Sequence, residues 1–436
     1  MLFYSTENPT KKTDLREALL KGLADDNGLY MPESIPALPP DILRRLGTLS
    51  FHEMAYWMAA PFMEAELGTR KLKALIEDAF DFEVPLVPIC RDIASLELFH
   101  GPTLAFKDFG ARFLARLLGH FTKESQQEVT ILVATSGDTG SAVANGFLGV
   151  PGIRVFVLYP SGLVSSSQEK QFTTLGHNIT ALEIQGTFDD CQRLVKQAFL
   201  DRDLRNRMTL TSANSISLGR LIPQMFYYAW AAAQMLPEMV KQQKKLIASV
   251  PSGNFGNLTA GLMAKKMGIP IHHFIAATNV NDIVPIWLET GSYRPRPSIA
   301  TLANAMDVGT PSNFARILDL YGNDHKAVCE DISGYRYTDE EIRNIMRTCY
   351  RETGYILDPH GATGYEALRS FLEKSPDYGG FFVETAHPAK FPESVESTLQ
   401  IHLTVPEKLQ EFLRREKKSV VLTKQFETFK DFLSEA

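Results

Sequence analysis

The chain has 436 residues, 44% of them hydrophobic and 22% charged, which is enough for two or three domains with substantial cores. Its formal net charge of -6 gives no general attraction to nucleic acid or to an anionic membrane surface, and no apolar run reaches the length of a membrane span. The cysteines, Cys90, Cys191, Cys329 and Cys349, are scattered and form no C-x-x-C pair, so a disulfide framework or a zinc site has little support and a reducing, cytoplasmic compartment fits best.

Residues 1–97 read as a mainly helical N-terminal module: Leu15, Ala18, Leu19 and Leu23 recur at helical spacing, and 54–67 carries a second apolar face. The prolines of 31–40 exclude regular helix there and predict an extended connector, and 81–88, with Pro85 and Pro88, reads as the linker onward.

Beyond the linker, β-rich runs at 129–134, 153–159, 179–184 and 208–211 each precede a helix-compatible segment. This alternation predicts right-handed crossovers and a parallel sheet covered by helices on both faces. A second set starts at 246–250 and continues through 272–278. The expected architecture is α/β: two domains with helix-flanked, mostly parallel sheets around a central cleft, a smaller one over 98–215 and a larger one over 216–436. Residues 291–341 show no clear pattern, and the stretch from about 405 reads as a charged, amphipathic helical cover.

Chemistry concentrates at the ends of these strands. In Leu98-Phe-His-Gly-Pro-Thr-Leu-Ala-Phe-Lys-Asp-Phe-Gly110, Lys107 stands between Phe106 and Phe109 at the start of a helix. It is either a solvated group at that helix start or an amine desolvated enough to lose its proton and attack a carbonyl carbon. The loop Pro251-Ser-Gly-Asn-Phe-Gly-Asn257 leaves a strand and enters a helix, so its backbone N–H groups converge on a place suited to a phosphate. Ser252 and Asn254 are candidates to add side-chain hydrogen bonds to that anion; an ordinary strand-to-helix turn is the alternative. No Gly-Lys dipeptide occurs and no two glycines are separated by a single residue, which excludes a Walker loop and a G-x-G-x-x-G dinucleotide fingerprint.

Three further strand ends carry polar groups. Thr135-Ser-Gly-Asp-Thr-Gly140 offers either contact with a flat ligand or a tight turn in which Asp138 caps the next helix. Asn214, Ser215 and Arg220 supply amide, hydroxyl and guanidinium donors for a second phosphate or carboxylate, or else a capped helix with a surface arginine. Thr385 follows the apolar run 380–383, where it either faces the cleft or is buried and satisfied by backbone. There is no H-E-x-x-H helix, no G-x-S-x-G elbow and no visible set of metal ligands.

As a set, the residues resemble the threonine synthase family, pyridoxal-phosphate enzymes of the fold-type II group that includes tryptophan synthase β. The likeness rests on Gly28-Leu-Tyr-Met-Pro32, Leu96 through Gly110, Ala134-Thr-Ser-Gly-Asp-Thr-Gly-Ser141, Val250 through Asn257, Ala276-Ala-Thr-Asn-Val-Asn-Asp282, Asn304-Ala-Met-Asp-Val308 and Thr385-Ala-His-Pro-Ala-Lys-Phe391. The resemblance implies a lyase that converts O-phospho-L-homoserine and water to L-threonine and phosphate. It implies that Lys107 forms the Schiff base with pyridoxal 5'-phosphate and serves as catalytic base and acid. By the same resemblance Gly253, Asn254, Phe255, Gly256 and Asn257 cradle the cofactor phosphate, Thr385 meets the pyridine nitrogen, and Asn214, Ser215 and Arg220 hold the substrate phosphate. Asp138 stands where other fold-type II enzymes carry asparagine beside the cofactor's 3-oxygen, and two anionic oxygens would repel there. A serine/threonine dehydratase or phospho-lyase would share the lysine and cradle, and a non-catalytic binding protein of the same fold is the third alternative. None of these motifs encodes the choice between monomer and homodimer.

Overall fold

The computed structural model describes residues 1–126 and 128–435. Its first strands are β1 (Phe3–Ser5), β2 (Lys12–Thr13), β3 (Tyr30–Pro32), β4 (Leu86–Cys90) and β5 (Ile93–Glu97). They are followed by β6 (Val129–Ala134), β7 (Ile153–Pro160), β8 (Ile179–Gln185) and β9 (Thr209–Thr211), then β10 (Lys245–Pro251), β11 (His273–Thr278), β12 (Ile332–Arg336), β13 (Tyr378–Glu384) and β14 (Val420–Thr423).

Three sheets result. The first is small and antiparallel, in the order β2-β1-β3, and sits in the otherwise helical N-terminal module. The second runs β12-β11-β10-β13-β5-β4 and is parallel except where β4 pairs antiparallel with β5. The third runs β14-β8-β7-β6-β9 and is parallel throughout. The central strands read as continuous apolar runs because both faces are covered: every residue of β6, Val-Thr-Ile-Leu-Val-Ala, is buried. The α/β expectation therefore holds.

Two segments belong to sheets other than those expected from sequence. β4 and β5, inside the span read as N-terminal module and linker, form one edge of the six-stranded sheet. Pro88 is tolerated in β4 because it lies on that edge, where a register shift between Pro88 and Cys90 interrupts the ladder. β14, inside the span read as a helical cover, returns to the other sheet as its edge strand beside β8. Neither shows a long periodic run of its own, since an edge strand needs only one covered side.

The N-terminal module is fixed by aromatic packing. Ser50 caps the helix Phe51–Leu67 in a reciprocal capping box with Glu53, and that helix presents Phe51 to Phe80 at a ring distance of 5.7 Å. Phe80 also packs against Phe109, Phe113 and Phe226 at 5.6, 5.9 and 5.8 Å, so the module is welded to the helix Lys107–Ser125 and to the helix Gln224–Lys241. Among the described residues, no helix is long and apolar enough to cross a membrane.

The topology decides where the site lies. β5, β13 and β10 are parallel neighbours, with Glu97 opposite Glu384 and Phe382 opposite Ser249, so the segments that follow them leave from one edge of the sheet. Those segments carry Lys107, Thr385 and residues 252–257. This is the C-terminal edge, where α/β sheets collect ligands.

Candidate active site

Lys107 is the first residue of its helix, and the loop before it closes on itself. Asp108, the next residue, is buried and accepts from the Thr103 N–H at 2.8 Å and the Thr103 hydroxyl at 2.7 Å. A Cβ at Gly101 would stand 2.4 Å from the Asp108 Oδ2, so only glycine permits this closure. Leu104 takes a left-handed φ of 58°, a conformation costing roughly 1–2 kcal/mol for an ordinary residue. The segment after β13 holds it there: the His387 N–H donates to the Leu104 carbonyl at 3.0 Å, and the Phe106 N–H donates to the Thr385 carbonyl at 2.8 Å. Thr385 is thus fixed to the residue preceding Lys107.

Phe109, beside Lys107, turns out to be structural. Its ring packs against Phe51, Phe80, Phe82 and Tyr227. The amine is desolvated by other means: its side chain is 15% exposed, and burial pushes its pKa down to about 8, an effect that Asp138 opposes and Lys390 and Arg220 reinforce. The amine is therefore a buried group and not a solvated one at a helix start.

The loop after β10 is built in a form suited to an anion. Phe255 adopts a left-handed φ of 60°, which turns the chain into the helix Gly256–Lys266. Among the described residues, the backbone N–H groups of 253–257 meet no acceptor, and they cluster at the positive end of that helix. A Cβ at Gly253 would lie 2.7 Å from the Met306 Cα and 2.9 Å from the Ala305 carbonyl oxygen. The turn Asn304–Met306 is therefore the wall behind the cradle. It is held in turn by Asn279, which donates to the Ala303 carbonyl and the Asp307 carboxylate at 3.2 and 2.8 Å, and by the Ala305 N–H, which donates to His360 Nε2 at 3.1 Å. The polar side chains of the loop differ from the expectation that they would point at an anion. Ser252 donates to the Val250 carbonyl at 2.9 Å, Asn257 to the Pro251 carbonyl at 2.9 Å, and Asn254 to the Ser215 hydroxyl at 2.7 Å while accepting from the Ser312 N–H at 2.6 Å. They shape the loop and leave the backbone N–H groups of 253–257 without acceptors among the described residues.

The third element lies beside the cradle. Gly256 approaches the Ser215 carbonyl, and Asn313 donates to that carbonyl at 3.4 Å. Arg220 is not on the surface: it is 3% exposed, one nitrogen donates to the Ala213 carbonyl at 2.9 Å, and its Nε has no partner. Among the described residues, no carboxylate forms an ion pair with it. Burial lowers its pKa to about 10, which still leaves it charged at neutral pH, and its Nε lies close to Gly110, one turn after Lys107. Asp108 acts on it only at a distance, without an ion-pair contact, so the unpartnered Nε of this buried guanidinium is suited to an anionic ligand. Asn214 is half-buried and its side chain makes no hydrogen bond to a described residue.

Three participants were not singled out from sequence. Lys390 is fully buried and pairs with Asp138 at 2.6 Å; it lies inside the Thr385–Phe391 motif, which marked the stretch but gave this lysine no role of its own. Gln168 donates to the same carboxylate at 3.0 Å, and nothing in its surroundings marks it. Asp138 does not act as a helix cap; Gly137 is the capping residue and makes no side-chain bond. Arg316 is also fully buried. It donates to the Tyr30 carbonyl at 2.9 and 3.2 Å, to Asn313 at 2.6 Å and to the Ile216 carbonyl at 2.8 Å, which explains why the Gly28–Pro32 run accompanies the site motifs.

Comparison with known proteins agrees with this geometry. Residues 2–80 match the family model described as threonine synthase N terminus, 93–379 that for pyridoxal-phosphate dependent enzymes, and 361–433 that for the threonine synthase C-terminal region. The chain is 44% identical over 409 residues to threonine synthase of Haemophilus influenzae, covering 94% of each chain. The chain belongs to the threonine synthase family. Among solved structures, threonine synthase from Escherichia coli superposes with a TM-score of 0.91 at 41% identity over 100% of both chains. The pyridoxal-phosphate-bound threonine synthase from Brucella melitensis gives 0.93 at 34% identity, covering 100% of this chain and 99% of that one. Like the family, this protein is a pyridoxal-phosphate-dependent lyase. Its residues fit the cofactor: a desolvated amine, five unclaimed N–H groups at a helix N-terminus, and a Thr385 hydroxyl with no hydrogen bond to a described residue.

Proposed function

We propose that the protein converts O-phospho-L-homoserine and water to L-threonine and phosphate, with Lys107 as the lysine that holds the cofactor and moves the proton at Cα. The observation that carries this reading is the buried Lys107 amine, lowered to about 8, on the same sheet edge as the 252–257 loop and Thr385. The N–H groups of residues 253–257 would hold the cofactor phosphate, and the neutral hydroxyl of Thr385 would meet the pyridine nitrogen without protonating it. Bound pyridoxal phosphate supplies the electron sink for charge developing at the substrate's Cα. Lys107, neutral for a large fraction of the time near pH 8, takes the Cα proton and returns it. Arg220, with Asn214 and Ser215, would orient the substrate phosphate for departure, its unpartnered Nε supplying a charge-assisted donor.

A division into an N-terminal module and two α/β domains separated by the site accords with the three sheets. A cytoplasmic monomer or homodimer is the form we propose, supported for the compartment by four free cysteines, two of them buried. The test is incubation of the holoenzyme with O-phospho-L-homoserine while phosphate and threonine are followed together. Equal amounts of both are expected; a 2-oxo acid and ammonia in place of threonine would select a dehydratase reading.

A further inference from the structure

Asp138 carries a carboxylate where repulsion with an anionic cofactor oxygen is expected, and the structure surrounds that carboxylate with donors. Its Oδ1 accepts from Lys390 Nζ at 2.6 Å and from Gln168 Nε2 at 3.0 Å, while its Oδ2 stands 3.8 Å from Lys107 Nζ. Lys390 is 0% exposed in its side chain, and its ammonium also donates to the Thr103 carbonyl at 2.8 Å. Thr103 is the residue clamped by Asp108, next to Lys107 in the chain. A fully buried lysine thus reaches from the turn Pro388–Lys390, after β13, to the helix Asp138–Phe147, after β6, and joins the two large sheets at the reaction centre.

We propose that Lys390 is a positioning residue for Lys107: it claims one oxygen of Asp138, so that the other stands against the Lys107 amine without trapping that amine's proton. The inference rests on the reading of Lys107 as the cofactor lysine. A lone buried carboxylate beside a buried amine favours the ammonium form, and an ammonium cannot attack an aldehyde. A second cation on the same carboxylate offsets that pull and keeps the carboxylate ionised. The charged groups that face Lys107 are Asp138, Lys390 on the Pro388–Lys390 turn and Arg220 on the helix Leu218–Leu221. Asp108, on the helix of Lys107 itself, is turned toward Thr103, and Gln168, from the helix Ser166–Thr173, is uncharged. Asp138 is therefore the sole anion acting on the amine among these groups, and Lys390 is its counter-ion. The carboxylate's own balance agrees in direction: burial opposes its ionisation, yet Lys390 and Lys107 hold it well below the usual carboxylate range.

The test uses apoprotein and pyridoxal phosphate. Cofactor capture is timed from the growth of the visible band across neutral to alkaline pH in the wild type, Lys390→Gln, Asp138→Asn and the double variant. Removing the Lys390 charge raises the proton affinity of Lys107, so the midpoint of capture should move up by about 1 pH unit. Removing the Asp138 charge should move it down by a similar amount, and the double variant should stay close to Asp138→Asn, because Lys390 acts through that carboxylate. Midpoints that stay put, or that move the same way in both single variants, overturn the proposal. If Lys390→Gln fails to fold, as judged by its melting curve, Lys390→Met, which removes the same charge and keeps an unbranched apolar chain in the buried site, takes its place with the same expected upward shift, and an unmoved midpoint overturns the proposal. Borohydride reduction followed by peptide mapping separates the two levels, because a wild type that captures cofactor through another lysine defeats the reading of Lys107 and this inference with it.

Discussion

The side-chain amide of Asn254 donates to the Ser215 hydroxyl at 2.7 Å, joining the loop after β10 to the segment that leads from β9 into the helix of Arg220. The two elements proposed to bind anions therefore share a strut. Replacing Ser215 by alanine leaves the Asn254 amide without that acceptor, a loss of roughly 1 kcal/mol for a hydrogen bond of this kind. Both cofactor affinity and kcat/KM should fall about fivefold, by the usual conversion of that energy. Titration of apoprotein with pyridoxal phosphate and steady-state kinetics read the two quantities; a fall in kcat/KM alone would assign Ser215 to the substrate only.

Lys107→Met removes the amine and, with it, a pH dependence. The unfolded chain keeps this proton up to the ordinary lysine value of 10.5, whereas the folded protein has released it by about 8, so between these values the unfolded state carries more protons and stability rises with pH. Wild-type apoprotein bears the cost of a buried ammonium below about pH 8, on the order of 3 kcal/mol, and sheds it progressively above that pH. The variant should thus be the more stable protein at neutral pH, with the gap closing toward pH 10.5. Denaturant midpoints measured along this range check the slope, and a gap independent of pH would place Lys107 in solvent. The variant should also lack any borohydride-reducible cofactor link.

Gly253 tests the wall of the cradle. An added Cβ meets backbone, Met306 Cα at 2.7 Å and the Ala305 carbonyl oxygen at 2.9 Å, and backbone cannot rotate aside. Gly253→Ala should displace either the loop or the turn Asn304–Met306 and weaken pyridoxal phosphate binding about tenfold or more, equivalent to roughly 1.4 kcal/mol. Gly47→Ala, whose Cβ would meet only the Ala233 carbonyl oxygen at an ordinary 3.6 Å, is the control and should bind normally.

What the sequence disclosed and what it hid follow from the range of the interactions. Val129 to Ala134 is buried on both sides, so its strand and the helix after it were legible from composition alone, as was the glycine loop after β10. Lys107 stood out for its apolar neighbours, yet Phe109 belongs to the Phe80 cluster and the desolvation comes from elsewhere. The groups that tune the site reach it from remote parts of the chain. Lys390 joins Asp138 across 252 residues and Arg316 joins Tyr30 across 286, and no local period or spacing announces such a pair. Edge strands were hidden for a different reason: β14, Val-Val-Leu-Thr, has only Leu422 buried, so its pattern is that of an exposed segment.

Arg220 bears on which phosphate each element takes. The N–H groups of 253–257 are the proposed holders of the cofactor phosphate, while Arg220 is buried with its Nε unpartnered and without an ion pair among the described residues. A guanidinium fork holds two phosphate oxygens at once, and a lysine at the same place offers one compact charge on a shorter reach. Arg220→Lys should therefore lower kcat/KM for O-phospho-L-homoserine by roughly ten- to a hundred-fold, the equivalent of losing one charge-assisted contact. The dissociation constant of a non-phosphorylated amino acid and the affinity for pyridoxal phosphate should change little. Arg220 also donates to the Ala213 carbonyl, a bond that a lysine cannot duplicate from the same position, so the melting temperature of each variant is measured alongside. A selective loss toward the phosphorylated substrate at unchanged melting temperature assigns Arg220 to the substrate phosphate. If substrate, amino acid and cofactor binding all weaken together, Arg220 serves the cradle or the fold, and the second phosphate must be held elsewhere.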